Sequence, residues 1–467
     1  MRKFIGLIFV VLFCGCGTLS SFFNNISNSF KNTSISSSSI DEQSTGNPSF
    51  VRQGVDYTIR DSVDRIGNQY ISFRSQLPSI FTFINNDGTV TICSSDERNK
   101  ISYVYEYSAD LTLLKTLHFN NQTGQLGAFT KDNEKNYYFF YGENATNERQ
   151  QNMFLVKYDA DGNIQKTYIL NAYAENSFNG INKPFDAGTC RMEISGSMLC
   201  VYFAREMFIS NDGLNHQASY GFIVDKDTFM RLDSGQVTNS KGTPINRVPA
   251  RMRMPYVSHS FNQFVLPIED GFIIADHGDA FPRSFVFAEF KNGTDTKSLK
   301  AFTFSGRVGE NATYAQMGGL AKTSTGYIFS GIYGRDVNNP RNVMIITFGN
   351  NLARCSSPVY ITSYTNTDGH AGHPKIVSLE DGRYLLLWEK FRFSTQPANQ
   401  IGQGATGYQS TFMVTIDQNG KTVSEIQELR GIRLNMNDVL RYNSHNKKVY
   451  WAINNSSRSI TVYALEI

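Results

Sequence analysis

Residues 80–93, IFTFINNDGTVTIC, decide the fold. Ile80 to Ile84 and Thr89 to Cys93 read as two strands, and Asn86-Asp87-Gly88 between them reads as a tight hairpin turn. Such a turn needs a positive φ, which Gly supplies at no steric cost. The same strand-turn-strand unit recurs around Asn133-Glu134-Lys135-Asn136, Ser195-Gly196, Asp270-Gly271, Thr325-Gly326, Asp381-Gly382 and His445-Asn446-Lys447. Each turn is polar, and each second strand is strongly apolar, as in Tyr137 to Tyr141, Met198 to Phe203 and Tyr384 to Trp388.

A third strand follows each pair after a variable loop, for example Tyr103 to Tyr107, Met153 to Tyr158 and Phe412 to Ile416. A fourth closes most units: Lys115 to Phe119, Lys166 to Leu170, Lys300 to Phe304 and Val359 to Thr362. The period is roughly 50 to 70 residues over about seven units, within the range of propellers. The reading is all-β: a seven-bladed β-propeller of four-stranded antiparallel blades over residues 55–467. The last unit ends after its third strand, so an N-terminal strand, Tyr57 to Arg60 or Tyr70 to Phe73, is expected to close it and remove an exposed sheet edge. The arrangement resembles the WD40 and Kelch groups of propellers in architecture only. No WD dipeptide pattern, Kelch double-Gly or sialidase Asp-box occurs. A pair of β-sandwiches is the competing architecture, and the regular four-strand rhythm disfavours it.

Composition agrees. Aromatic residues make up 13% of the chain, which suits pleated surfaces, and charged residues only 18%. The net charge of +3 removes the electrostatic case for nucleic acid.

The N-terminus carries a different message. Arg2 and Lys3 precede an apolar run from Phe4 to Phe13, too short to span a bilayer. Phe13-Cys14-Gly15-Cys16 then resembles the lipobox of bacterial lipoproteins. That resemblance implies a signal peptide over 1–16, lipidation (palmitate) at Cys16, and a place in the bacterial cell envelope outside the cytoplasm. Cys14 is the alternative lipidated position, and an ordinary secretory signal the alternative leader. Residues 17–54 are rich in Ser and Asn and read as a disordered tether. An exported chain meets oxidising conditions. Cys190 and Cys200 flank the Ser195-Gly196 turn, so one register would let them bridge, and another would part them.

In a propeller the loops between second and third strands share a face with the loops between blades, and loops on a rigid scaffold carry function. His216, His259, His277, His370 and His373 all fall in loops assigned to that face. So do Arg205, Asp279, Arg283, Arg335, Asp336, Arg341, Glu389 and Arg392. Three readings of these residues compete. Asp279 with Arg283, and Asp336 with Arg341, brace their own loops. Alternatively the Arg and His side chains bind an anion or sugar acid, because a guanidinium fork matches a carboxylate. In the third reading His277, His370 and His373, with Asp279 or Glu389, hold a divalent metal for a hydrolase or lyase. No cofactor has a motif of its own here. Asp159-Ala160-Asp161-Gly162 lacks the full calcium-loop ligand series and reads as an ordinary turn. The expected function is an anchored binding lipoprotein that recognises a saccharide, an anionic small molecule or a partner protein. The alternatives are a metal-assisted enzyme on the same face and a scaffold in an envelope complex.

Overall fold

The computed structural model describes residues 50–56, 80–96, 99–121, 124–170, 180–186, 188–209, 212–233, 254–292, 296–393, 407–456 and 459–467. Cys14, Cys16, the tether up to residue 49, and both expected closing segments, Tyr57 to Arg60 and Tyr70 to Phe73, lie outside them. Among the described residues every helix or strand element is a strand.

The opening hairpin forms as its residues dictate. Gly88 adopts φ 80° and its N–H donates to the Asn85 carbonyl at 2.9 Å, while Asp87 Oδ1 accepts from the Thr89 N–H at 3.0 Å. Strands Ile80–Ile84, Val90–Asp96, Ile101–Tyr107 and Leu113–Asn120 then pair in sequence order, all antiparallel. The same order builds four-stranded sheets over 125–169, 315–360 and 370–429. The second strand Tyr137–Gly142 is buried throughout, whereas the fourth strand Ile164–Ile169 is mostly exposed. Second strands are therefore apolar on both faces because neighbouring sheets cover both, and outer strands alternate with water. This succession of antiparallel sheets fits a β-propeller.

The sheets meet through aromatic side chains. Phe140 packs on Phe203 with ring centroids 5.4 Å apart, and Phe285 on Phe329 at 4.9 Å. Such pairs add about 0.5–1.5 kcal/mol beyond the area they bury. The first strands also touch one another. Phe83 meets Phe129 at 5.5 Å, Arg191 Nε donates to the Gln263 carbonyl at 2.8 Å, and the His373 N–H donates to Gln316 Oε1 at 3.0 Å. The repeat's two ends join the same way, since Thr82 Oγ1 donates to Asp438 Oδ2 at 2.6 Å across 356 positions of chain.

Several expectations need correction. The strand that pairs with the C-terminal strand Ser459–Glu466 is Phe50–Asp56, earlier than either expected segment and partly inside the stretch read as tether. Residues 183–225 and 258–303 share one eight-stranded sheet through an Ala218–Ser258 pair, and a single bridge from Val224 to Arg231 stands where a fourth strand was sought. Cys190 and Cys200 are both free thiols. The hairpin register sets Phe203 opposite Cys190 and Glu193 opposite Cys200, so the bridging register is not the one adopted. The Asp159 turn, by contrast, is the ordinary one expected: its carboxylate accepts from the N–H groups of Asp161 and Asn163.

Candidate functional site

Most residues expected in loops stand on strands. Met198–Ile209 carries Arg205, Asn215–Asp225 carries His216, Gly271–Phe281 carries His277 and Asp279, and His370–Ser378 carries His370 and His373. Glu389 lies on Tyr384–Phe391. The apolar patterning of these strands continues past the point where the sequence turns polar, because the polar side chains find partners inside.

Those partners are local. Asp279 is buried and paired with Arg283, and its Oδ2 also accepts from the Asn311 N–H at 2.8 Å. Arg283 is further held by Glu310 at 2.8 Å and by the carbonyls of Ser305 and Ala312. This pair braces its own loop, as the first of the three readings holds. The second bracing pair does not form. Asp336 instead accepts from the Asn338 N–H and Asn339 Nδ2, while Arg341 is buried elsewhere. Arg205 lies over the Tyr220 ring and donates to the Gly180 carbonyl at 3.0 Å. His216 meets Asp212 at 2.7 Å, and Arg335 and Arg392 are exposed.

The three candidate metal-ligating histidines do not share a site. His277 sits among Phe261, Phe285 and Phe304 and bonds Thr313 Oγ1 at 2.7 Å. His370 stacks on Phe393 and accepts the Arg341 N–H at Nδ1. His373 Nδ1 lies 2.6 Å from Glu389 Oε2. Among the described residues no group of three or more His, Cys, Asp or Glu is arranged to hold a metal ion.

Glu389 and His373 are an expected pair whose side chains the fold brings together across sequence. Arg433, which the sequence reading missed, completes it: its Nε donates to Glu389 Oε1 at 2.7 Å, and the Leu434 N–H donates to the same oxygen at 2.9 Å. Burial alone would lift the Glu389 carboxyl, but His373 and Arg433 outweigh it and hold it below the usual carboxylate range.

A second cluster lies on the first strands, and the sequence reading missed all of it. Phe81, Phe83, Phe129 and Phe264 line a cavity of about 30 Å³ together with Arg191, Glu193, Asp438 and Arg441. That volume admits a small polar group and not a whole sugar ring. Arg191 lies over the Phe264 ring at 4.5 Å and Arg441 over Phe83 at 4.8 Å. Arg441 Nη2 donates to Glu193 Oε1 at 3.1 Å, and Lys375 Nζ donates to the Asp438 carbonyl at 2.7 Å. Arg191 is nine-tenths buried, and its Nη2 has no hydrogen-bond partner among the described residues. Burial pulls the Arg191 guanidinium down to about 10 and Lys375 downward as well, while it pushes the Asp438 carboxyl up. Exposure rises from Arg191 to Glu193 and Phe83, toward the strand ends that enter the tight turns. The cavity therefore opens on the tight-turn side, opposite to the loop-rich side where a site was expected. The one signal in the sequence was a charged residue inside an apolar run, as in Cys190-Arg191-Met192 and Lys375-Ile376-Val377.

No protein-family model and no curated protein matches the chain. Solved structures with a similar arrangement include an endo-arabinase from Bacteroides thetaiotaomicron VPI-5482. It is 11% identical over 88% of this chain and 98% of that one, with a TM-score of 0.34. A GH93 α-L-arabinofuranosidase of Fusarium graminearum, in complex with arabinobiose, is 11% identical over 88% and 96%, with a TM-score of 0.40. A Cellvibrio cellulosa α-L-arabinanase complexed with arabinohexaose is 8% identical over 64% and 93%, with a TM-score of 0.29. At such identities and scores the likeness assigns neither ligand nor activity to this chain.

Proposed function

We propose that this chain is an extracytoplasmic, lipid-anchored binding protein whose β-propeller takes the acidic end group of a saccharide in the Phe- and Arg-lined cavity. The observation that carries the reading is Arg191. Its guanidinium is buried, lies over the Phe264 ring, and keeps an Nη2 donor without a partner among the described residues, beside a cavity that fits a carboxylate. Phe83 and Arg441 at the mouth offer an apolar face and a second cation to the sugar behind that group.

The ring itself belongs to the proposal: seven blades, closed by Phe50–Asp56 against Ser459–Glu466. It is supported by that pairing and by the Thr82–Asp438 bond between the repeat's ends. Cys16 is the proposed anchor, with residues 17–49 as tether, in the bacterial envelope. Labelling with radioactive palmitate tests this part: a Cys16→Ser chain should lose the label and a Cys14→Ser chain should keep it.

Binding is tested by titrating the full chain with an oligosaccharide ending in a uronic acid and with its neutral counterpart. A charge-assisted hydrogen bond contributes about 1.5–3 kcal/mol, so Arg191→Met should weaken acid binding by about tenfold or more and leave any neutral binding unchanged. Equal binding of both sugars by the native chain, or unchanged acid binding by Arg191→Met, would sink the reading.

One observation favours a second reading, a hydrolase: Glu389 fixes His373 through Nδ1, as a carboxylate does for a general base. Hydrolysis of arabino-oligosaccharides by the native chain but not by His373→Gln would decide for it.

A further inference from the structure

Arg341 is the most isolated charge in the described fold. It stands just before strand Asn342–Gly349, and its backbone is pinned on both sides: its N–H donates to His370 Nδ1 at 3.1 Å, and its carbonyl accepts from the Ala371 N–H at 2.9 Å. The stem is packed as well, since a Cβ on Gly334 would come within 3.1 Å of Arg341 Cγ. The side chain is thus held inside, 2% exposed, and cannot reach water as a long cation on a surface does. Yet none of Nε, Nη1 and Nη2 has a hydrogen-bond partner among the described residues.

Candidate counter-charges are engaged elsewhere. Asp336, five residues upstream, is turned to Asn338 and Asn339. Glu389 is saturated by His373, Arg433 and the Leu434 N–H. Other buried arginines differ. Arg205 has a carbonyl and a ring, Arg283 has two carboxylates, and Arg191 has Asp438 nearby. Burial alone pulls the Arg341 guanidinium down to about 9, which still leaves it charged at neutral pH. A buried charge with unsatisfied donors calls for a counter-charge, because water satisfies the donors but leaves the charge uncompensated.

We infer that Arg341 is the core of a buried anion site that takes a halide-sized monovalent anion, chloride by its chemistry, between the start of strand Asn342–Gly349 and strand His370–Ser378. The site is separate from the cavity at Arg191 and does not depend on the function proposed for it. Its role is to complete the seam between two sheets, so occupancy and stability are linked.

The test is thermal unfolding of the full chain in chloride–gluconate mixtures at fixed ionic strength. For the native chain the midpoint should climb steadily with the logarithm of chloride concentration, and bromide should act in the same way. Arg341→Met, which keeps the stem and removes the charge, should show no such climb. An equal response to chloride and gluconate in the native chain would overturn the inference, and so would a chloride response retained in Arg341→Met. Should the variant fail to fold, anomalous scattering from native crystals grown in bromide decides the matter. A bromide peak at hydrogen-bond distance from the guanidinium supports the site, and no peak there refutes it.

Discussion

Replacing Glu389 by Gln tests how the fold holds its most deeply placed charges. The carboxylate is buried and accepts from His373 Nδ1 at 2.6 Å, Arg433 Nε at 2.7 Å and the Leu434 N–H at 2.9 Å. A Gln carbonyl in place of Oε1 still serves Arg433 and Leu434. The amide NH₂ in place of Oε2 confronts His373 with a donor where it had an acceptor, so the ring must move its proton to Nε2 or give up the bond. One charge-assisted bond is lost and another is weakened. Arg433 is a quarter exposed and relaxes into water, which places the cost near the low end of the range for a broken buried pair, about 3 kcal/mol. Urea unfolding at pH 7.5 should show that loss with an unchanged slope, and ¹⁵N shifts of His373 should report the tautomer change. The difference must also depend on pH. The folded carboxyl titrates below its unfolded value, so its stabilisation is present above about pH 4.3 and is lost as pH falls through the folded value. The native chain and the variant should therefore converge in acid. A cost under about 0.5 kcal/mol, the size of an ordinary surface change, would refute this account of the pair.

Other perturbations follow from the same geometry. Asp276 is buried with no paired cation among the described residues, bonded to Ser260 and Tyr202, and burial raises its carboxyl to about 7 against the pull of those two bonds. Its favourable contribution is complete below about pH 4 and is lost as pH rises to about 7, so Asp276→Asn should gain on the native chain over that window by a few kcal/mol, on the order of 4; urea midpoints at pH 4.5 and 7.5 measure it. Gly127 leaves room for the Phe185 ring, which a Cβ would approach to 2.3 Å, so Gly127→Ala should cost about 1–3 kcal/mol through overpacking, read by the same unfolding assay. Burial lifts all four thiols, well above the usual range at the buried Cys93, Cys190 and Cys200 and less far at the half-buried Cys355. Iodoacetamide should therefore label Cys355 ahead of those three in the native chain, and reductant should leave the unfolding midpoint where it was.

The fold was legible because its signal is repeated and local. A turn such as Asn86-Asp87-Gly88 declares itself through backbone chemistry, and a run such as Tyr137 to Tyr141 through its lack of polar positions. Both statements hold before any tertiary contact is made. The sites were not legible, because a charged residue's neighbours are set by register and by the next sheet. Asp279 and Arg283 lie four apart on one hairpin, so their pairing was within reach of the sequence. Asp336 and Arg341 are almost as near, yet the intervening Asn338 and Asn339 outcompete the arginine with short, local donors. Glu389 and Arg433 are 44 positions apart, and Thr82 and Asp438 356 apart. No periodicity links such pairs.

Competition for local partners also explains why the cavity lies where loops are shortest. Polar residues near the long loops have turns, water and one another to satisfy them, and in this chain the candidates on that side are largely consumed by one another and by nearby backbone, as Asp279 is by Arg283 and Glu389 by His373. A first strand offers no such relief. Arg191 is surrounded by Cys190 and Met192 in sequence and by Phe264 in space, so its unpartnered Nη2 must be met across the junction of sheets or by something that enters it. Charges embedded in apolar strands are costly in proportion to their isolation. That makes Arg191 and Arg341, and not the strand-borne histidines, the residues whose loss should change what this protein binds.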